Sequence, residues 1–171
     1  MMNHKKVLTA LAVVTLLAAA SAARAQDTVK AKLLHGFFEV PANSTTGSGE
    51  LTGTLDADSI DYTLSYTGIP TAVTAAHIHV GQMDVNGGVS AFLCGGGGKP
   101  ACPPSGSVTG TIVAADVIGP TGQGVGPGEF EELVAAMRAG VTYANVHSSQ
   151  FPGGEIRGQL RVFRTDGPSL P

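Results

Sequence analysis

From residue 28 onward, apolar and polar residues alternate with period two along most of the chain, the pattern of half-buried β-strands. Segments 28–38, 48–55, 60–67, 73–80, 88–93, 107–114, 142–147 and 154–163 carry it. Tyr62, Leu64 and Tyr66 share one face of the third segment. In the last, Ile156, Leu160 and Val162 lie opposite Glu155, Arg157, Gln159 and Arg161. Turn signals such as Pro41-Ala42-Asn43, Asp56-Ala57-Asp58-Ser59 and Gly68-Ile69-Pro70 separate the runs. Asp84-Val85-Asn86-Gly87-Gly88 reads as a further turn, since it lacks the ligand series and closing Glu of a calcium loop. One segment changes period. Phe130, Leu133, Val134 and Met137 fall at i, i+3, i+4 and i+7 behind an acidic first turn and ahead of Gly140, which predicts one short core-facing helix. About eight strands and one helix predict an all-β Greek-key sandwich or barrel, with Tyr62, Leu64, Ile78, Val146, Ile156 and Leu160 in its core.

The N-terminus follows a different rule. Lys5 and Lys6 precede an apolar run from residue 7 to 20, and Ala23-Arg24-Ala25 supplies a small-x-small cleavage pattern. The run is shorter than the ~20 residues a bilayer span needs. Residues 1–25 are therefore expected to be a signal peptide, removed before Gln26, which directs the chain to the periplasm or the exterior. Residues 26–164 would form the domain and residues 165–171 a frayed tail. No second run of spanning length follows, so no membrane span is expected in the mature chain.

Composition changes the picture in two ways. The sequence has 24 Gly, and charged residues make up only 13% of it, which suits short strands and many turns. Loss of Lys5, Lys6 and Arg24 leaves seven basic against thirteen acidic residues, a formal charge of −6. A mildly acidic chain without a basic cluster argues against nucleic-acid binding. The two cysteines, Cys94 and Cys102, bracket a run of four glycines. In an oxidising compartment that arrangement predicts a disulfide, and the seven-residue spacing fits no usual zinc pattern.

Candidate chemistry rests on histidine. His77 and His79 flank Ile78, so on a strand both point to one face with Cα atoms roughly 6–7 Å apart, close enough to share a metal. His147 on another strand offers a third nitrogen, and His35 is a candidate fourth. Copper is favoured over zinc. Metal affinity would be expected to weaken as the pH falls through ~6.5, where free histidine protonates. The alternative is packing, with the rings bonded to backbone and turns. No nucleophile elbow or phosphate-binding loop is evident, so no catalytic residue is assigned.

Four ordered motifs carry a resemblance. They are Leu34-His35-Gly36-Phe37-Phe38-Glu39-Val40-Pro41, Ala76-His77-Ile78-His79, Asn145-Val146-His147 and Gly153-Gly154-Glu155-Ile156-Arg157-Gly158-Gln159. Together they resemble the chordin-type (CHRD) domain family over residues from about 29 to 163. The resemblance implies an immunoglobulin-like or superoxide-dismutase-like β-sandwich. It also places His147 at the same end as His77 and His79. Family members occur in chordin, an extracellular binder of growth factors, and as stand-alone bacterial secreted proteins, and the resemblance implies no enzyme. The expected function is a non-catalytic binding module for an extracytoplasmic ligand whose identity the sequence does not give. The first alternative is a copper- or zinc-binding protein. The weakest is a dismutase-like oxidoreductase, because that enzyme's copper takes four histidines and its zinc needs a further His/Asp cluster. Glu39, Glu155 and Arg157 admit two readings: a structural one, with surface or inter-strand hydrogen bonds and a Glu39–Arg157 pair, and a ligand-binding arginine.

Overall fold

The computed structural model describes residues 26–164. The expected signal peptide and C-terminal tail lie outside the described residues. Nine strands form one antiparallel sheet. They are β1 (Asp27–His35), β2 (Ser48–Leu55), β3 (Ser59–Thr67), β4 (Val73–Val80), β5 (Gly88–Cys94), β6 (Gly106–Val113), β7 (Thr142–Ser148), β8 (Ile156–Gln159) and β9 (Arg161–Phe163). The described residues hold a single α-helix, α1 (Phe130–Arg138), which precedes β7.

The strand order is β5-β4-β7-β8-β1-β2-β3-β6, with β9 also paired to β1. The sheet curls into a nearly closed barrel around one core. The all-β class with one short helix is as the alternation predicts. Tyr62 spans the interior, its hydroxyl donating to the Leu93 carbonyl at 2.6 Å and so tying β3 to β5. The expected core residues Tyr62, Leu64, Ile78, Val146, Ile156 and Leu160 are all buried, as is the helix stripe of Phe130, Leu133, Val134 and Met137.

Two segments differ from the sequence reading by more than one residue at an end. β1 ends at His35, and residues Gly36–Phe38 form a 3-10 turn instead of continuing the strand. There His35 Nδ1 accepts from the Phe37 N–H at 3.2 Å, a side-chain cap that alternation does not register. The last strand breaks at Leu160, whose N–H bonds to the Thr142 carbonyl. Before the break β8 ladders with β7, and after it β9 ladders with β1.

Cys94 and Cys102 form the expected disulfide, with Cα atoms 5.1 Å apart. Gly95 N–H to the Pro100 carbonyl at 2.8 Å, together with a Lys99–Asp116 ion pair at 2.9 Å, orders the glycine loop. Among the described residues no helix is long and apolar enough to cross a membrane.

Candidate metal centre

The site lies on the outer face of the β5-β4-β7-β8 half of the sheet. Period two puts Ala76, Ile78 and Val80 of β4 into the core, and His77 and His79 onto the opposite face. Both faces are buried: His77 is 9% and His79 7% exposed. The β4–β7 register sets His77 opposite Asn145, His79 opposite Tyr143, and His147 opposite Ala75, one step diagonal from His77. His77 Nδ1 and His147 Nε2 are 3.0 Å apart.

One ring nitrogen from each of His77, His79 and His147 lies within 4.8 Å of the other two. Three points that close fit within about 2.8 Å of a common centre, so modest contraction reaches the ~2.0 Å of a metal–imidazole bond. His35 is not in the group. Its strand is separated from β4 by β7 and β8, and at roughly 4.8 Å per strand its capping ring cannot join the others. The fourth-ligand expectation is thus corrected.

The hydrogen bonds fix two tautomers. His79 Nδ1 lies 3.0 Å from the Gly87 carbonyl, and His147 Nδ1 3.0 Å from the Pro152 carbonyl. A carbonyl only accepts, so each Nδ1 carries the proton and each Nε2 keeps its lone pair. Oriented imidazoles with Nδ1 bonded to backbone are the usual outer shell of a histidine metal site. His79 Nε2 is buried without a hydrogen-bond partner. In the neutral cluster His77 Nδ1 donates to His147 Nε2, so a metal taking both of these nitrogens as ligands would require the proton to leave His77 Nδ1.

Burial is the largest influence on all three rings. It lowers His77 to about 3, helped by the neighbouring histidines, and His79 to about 4 against the opposing bond to Gly87. His147 is also lowered by burial. His77 and His79 therefore stay neutral well below pH 6.5. The expected loss of metal affinity moves to correspondingly lower pH.

Several neighbours were not identified from sequence. Tyr143 stacks on His79, with ring centroids 4.7 Å apart and planes 4° from parallel. The Arg157 guanidinium lies 3.4 Å from the centroid of the Tyr143 ring. Phe92 meets His77 edge-on at 4.4 Å. Period-two spacing on three different strands is the signal that put these rings on one face, but the register between the strands was not readable.

Arg157 is buried and donates to the Gln82 and Val85 carbonyls at 2.8 and 2.9 Å, and at 3.4 Å to Asn86 Oδ1. It clamps the 81–88 turn over the histidines. Within that turn, a Cβ on Gly87 would overlap the Val80 carbonyl, so only glycine brings its own carbonyl to His79.

The expected Glu39–Arg157 pair does not form. Glu39 instead accepts from Asn145 Nδ2 at 2.5 Å, and burial raises its carboxyl to about 7 despite that bond and the field of Arg157. The ion pairs among the described residues are Lys99–Asp116 and Arg138–Asp27. Glu155 is not a surface group either: it is fully buried and accepts from Thr45 Oγ1. Gly154, at φ +134°, passes so close to Glu39 and Asn145 that a Cβ would strike both. These motif residues fasten the 36–47 and 149–155 segments onto the face that holds the histidines.

A nearly closed antiparallel sheet with a roofed three-histidine cluster defines the class of domain, and the comparison with known families agrees with the four motifs. The chain belongs to the CHRD domain family, which it matches over residues 29–160. No curated protein and no solved structure matches it.

Proposed function

We propose that this CHRD-domain protein is an exported, non-catalytic metal-binding module in which His77, His79 and His147 hold one divalent transition-metal ion. The observation that carries this reading is the lone pair of His79 Nε2, buried without a partner, on a residue that has one ring nitrogen within 4.8 Å of one from each of two more histidines. A buried polar atom left unpaired costs stability unless something binds it. Copper is favoured over zinc by the Irving–Williams order for imidazole ligands. The chain's own part is to hold the rings neutral and oriented, through burial and the two backbone carbonyls. His147 is only half-buried, which leaves the cluster a side towards solvent. Export is supported by the Lys5-Lys6, apolar-run and Ala23-Arg24-Ala25 pattern.

Untagged, metal-stripped protein titrated with Cu(II) and Zn(II) should take up about one equivalent, more tightly for copper. His77→Ala and His79→Ala should each abolish that binding. Saturation at 100 times Kd should raise the unfolding free energy by about 2.7 kcal/mol. Binding should persist at pH 5.5, because both histidines on β4 remain neutral there. If wild type and both variants bind alike, the histidines serve packing, and a CHRD binding module without metal is the better reading.

A further inference from the structure

Away from the histidines, the far edge of the same covered face holds a hollow of about 310 Å³ between β1, β8, β9 and the 81–88 turn. Its volume is at the low end of the ~300–1,000 Å³ typical of small-molecule sites. Leu33, Phe38, Met83 and Phe163 form its apolar walls, and each leaves 45–59% of its surface exposed. They come from three separate stretches of chain, and they are half of the large hydrophobic residues that the described chain exposes. An exposed apolar cluster that draws on separate segments marks a binding surface more often than a scatter of single residues does.

Charge decides the kind of ligand. Lys30, Lys32, Arg157 and Arg161 line the hollow, against the single acid Asp84. Four of the ten basic residues of a net-acidic chain thus meet one of its thirteen acids. Lys32 Nζ stands 6.0 Å from the Phe163 ring centroid, which keeps an ammonium beside an apolar wall. Arg157 is held by the turn carbonyls and adds a fixed positive charge. Gln159, also lining the hollow, has its amide committed to the Gly81 and Gly140 carbonyls. The remaining cations Lys30, Lys32 and Arg161 are therefore the groups able to meet an anionic head while the walls take up an apolar body.

We infer that this hollow binds a small free amphipathic anion, one carboxylate, sulfate or sulfonate head on an alkyl or aryl body. Calorimetric titration of the whole protein with decanoate, with decanol as the uncharged control, tests the assignment. Decanoate should bind at about one equivalent and at least about tenfold more tightly than decanol. Lys32→Glu and Arg161→Glu should each weaken decanoate about tenfold and leave decanol unchanged. Phe38→Ser should weaken both. All three side chains are exposed, and an unchanged thermal midpoint confirms that the variants fold. His77→Ala should leave decanoate binding intact, so the outcome is independent of the metal reading. Equal affinity for decanol, or no effect of charge reversal, would overturn the proposal. So would sedimentation with phosphatidylglycerol vesicles without decanoate binding, which would assign the surface to a membrane.

Discussion

The two halves of the sheet carry the same alternation and end in opposite environments. In β1-β2-β3-β6, Leu51, Leu64 and Val108 face inward on neighbouring strands, while Thr52, Thr63 and Thr109 align on the outer face. That outer face remains open to water. In β5-β4-β7-β8, Ala76, Ile78, Ala144 and Val146 face inward in the same way. Their outer neighbours His77, His79, Asn145 and Arg157 are between 1% and 9% exposed. The difference comes from what covers each face. Three residues suffice to turn β2 into β3, whereas the 36–47, 81–88 and 149–155 segments fold back over the other half. Once roofed, polar side chains must satisfy one another, and they do so by stacking and bonding to the roof. The lesson is that a polar position on a strand becomes a site when loops withdraw it from water.

The comparison can be broken most forcefully from inside. Ile78→Ala removes a core side chain from between the two histidines and should cost roughly 2–5 kcal/mol in urea unfolding. A loss near zero would mean that the inner face of this half is not a packed core. Next in size is the clamp. Arg157→Met leaves the Gln82 and Val85 carbonyls without their donor and should cost about 2–4 kcal/mol. Faster amide hydrogen exchange should appear in residues 81–88 of that variant before any elsewhere, and uniform exchange would refute the clamp.

A smaller effect separates the roofed face by pH. His77 and His79 have folded pKa values below that of free histidine, so the unfolded chain binds more protons between about pH 6.5 and 4. Their contribution to stability is complete above about 6.5 and is lost as the pH falls towards 4. Glu39 has the opposite sign. Its pKa is raised to about 7, so its contribution is complete below about 4.5 and is lost as the pH rises through 7. Glu39→Gln should therefore stabilise the protein at pH 8, on the order of 1–2 kcal/mol, and steepen its loss of stability between pH 6 and 5. An unchanged pH profile would show that Glu39 titrates as a solvated carboxyl. The smallest effect belongs to the open half. Thr63→Val should change stability by no more than about 0.5 kcal/mol, and a larger cost would reveal an unrecognised partner on that face.

Period two and composition determined much of this protein without any knowledge of its tertiary structure. The alternation located β2 and β4 at their observed bounds, set Ile78 in the core, and put His77 and His79 on one face, because side-chain direction in a strand is a local property of the backbone. The helical stripe and the Cys94–Cys102 bridge across its short loop were readable for the same reason. What the tertiary structure decided is everything that depends on register and strand order. It brought His147 to His77, put two strands between His35 and the cluster, and laid Tyr143 between His79 and Arg157. It also buried Glu39, Glu155 and Arg157 as fasteners, where the sequence left surface bonds, inter-strand bonds and a ligand-binding arginine all open. Those outcomes rest on contacts between residues as far as 110 positions apart, and neither spacing nor hydropathy within one segment encodes which distant segment will lie on top of it.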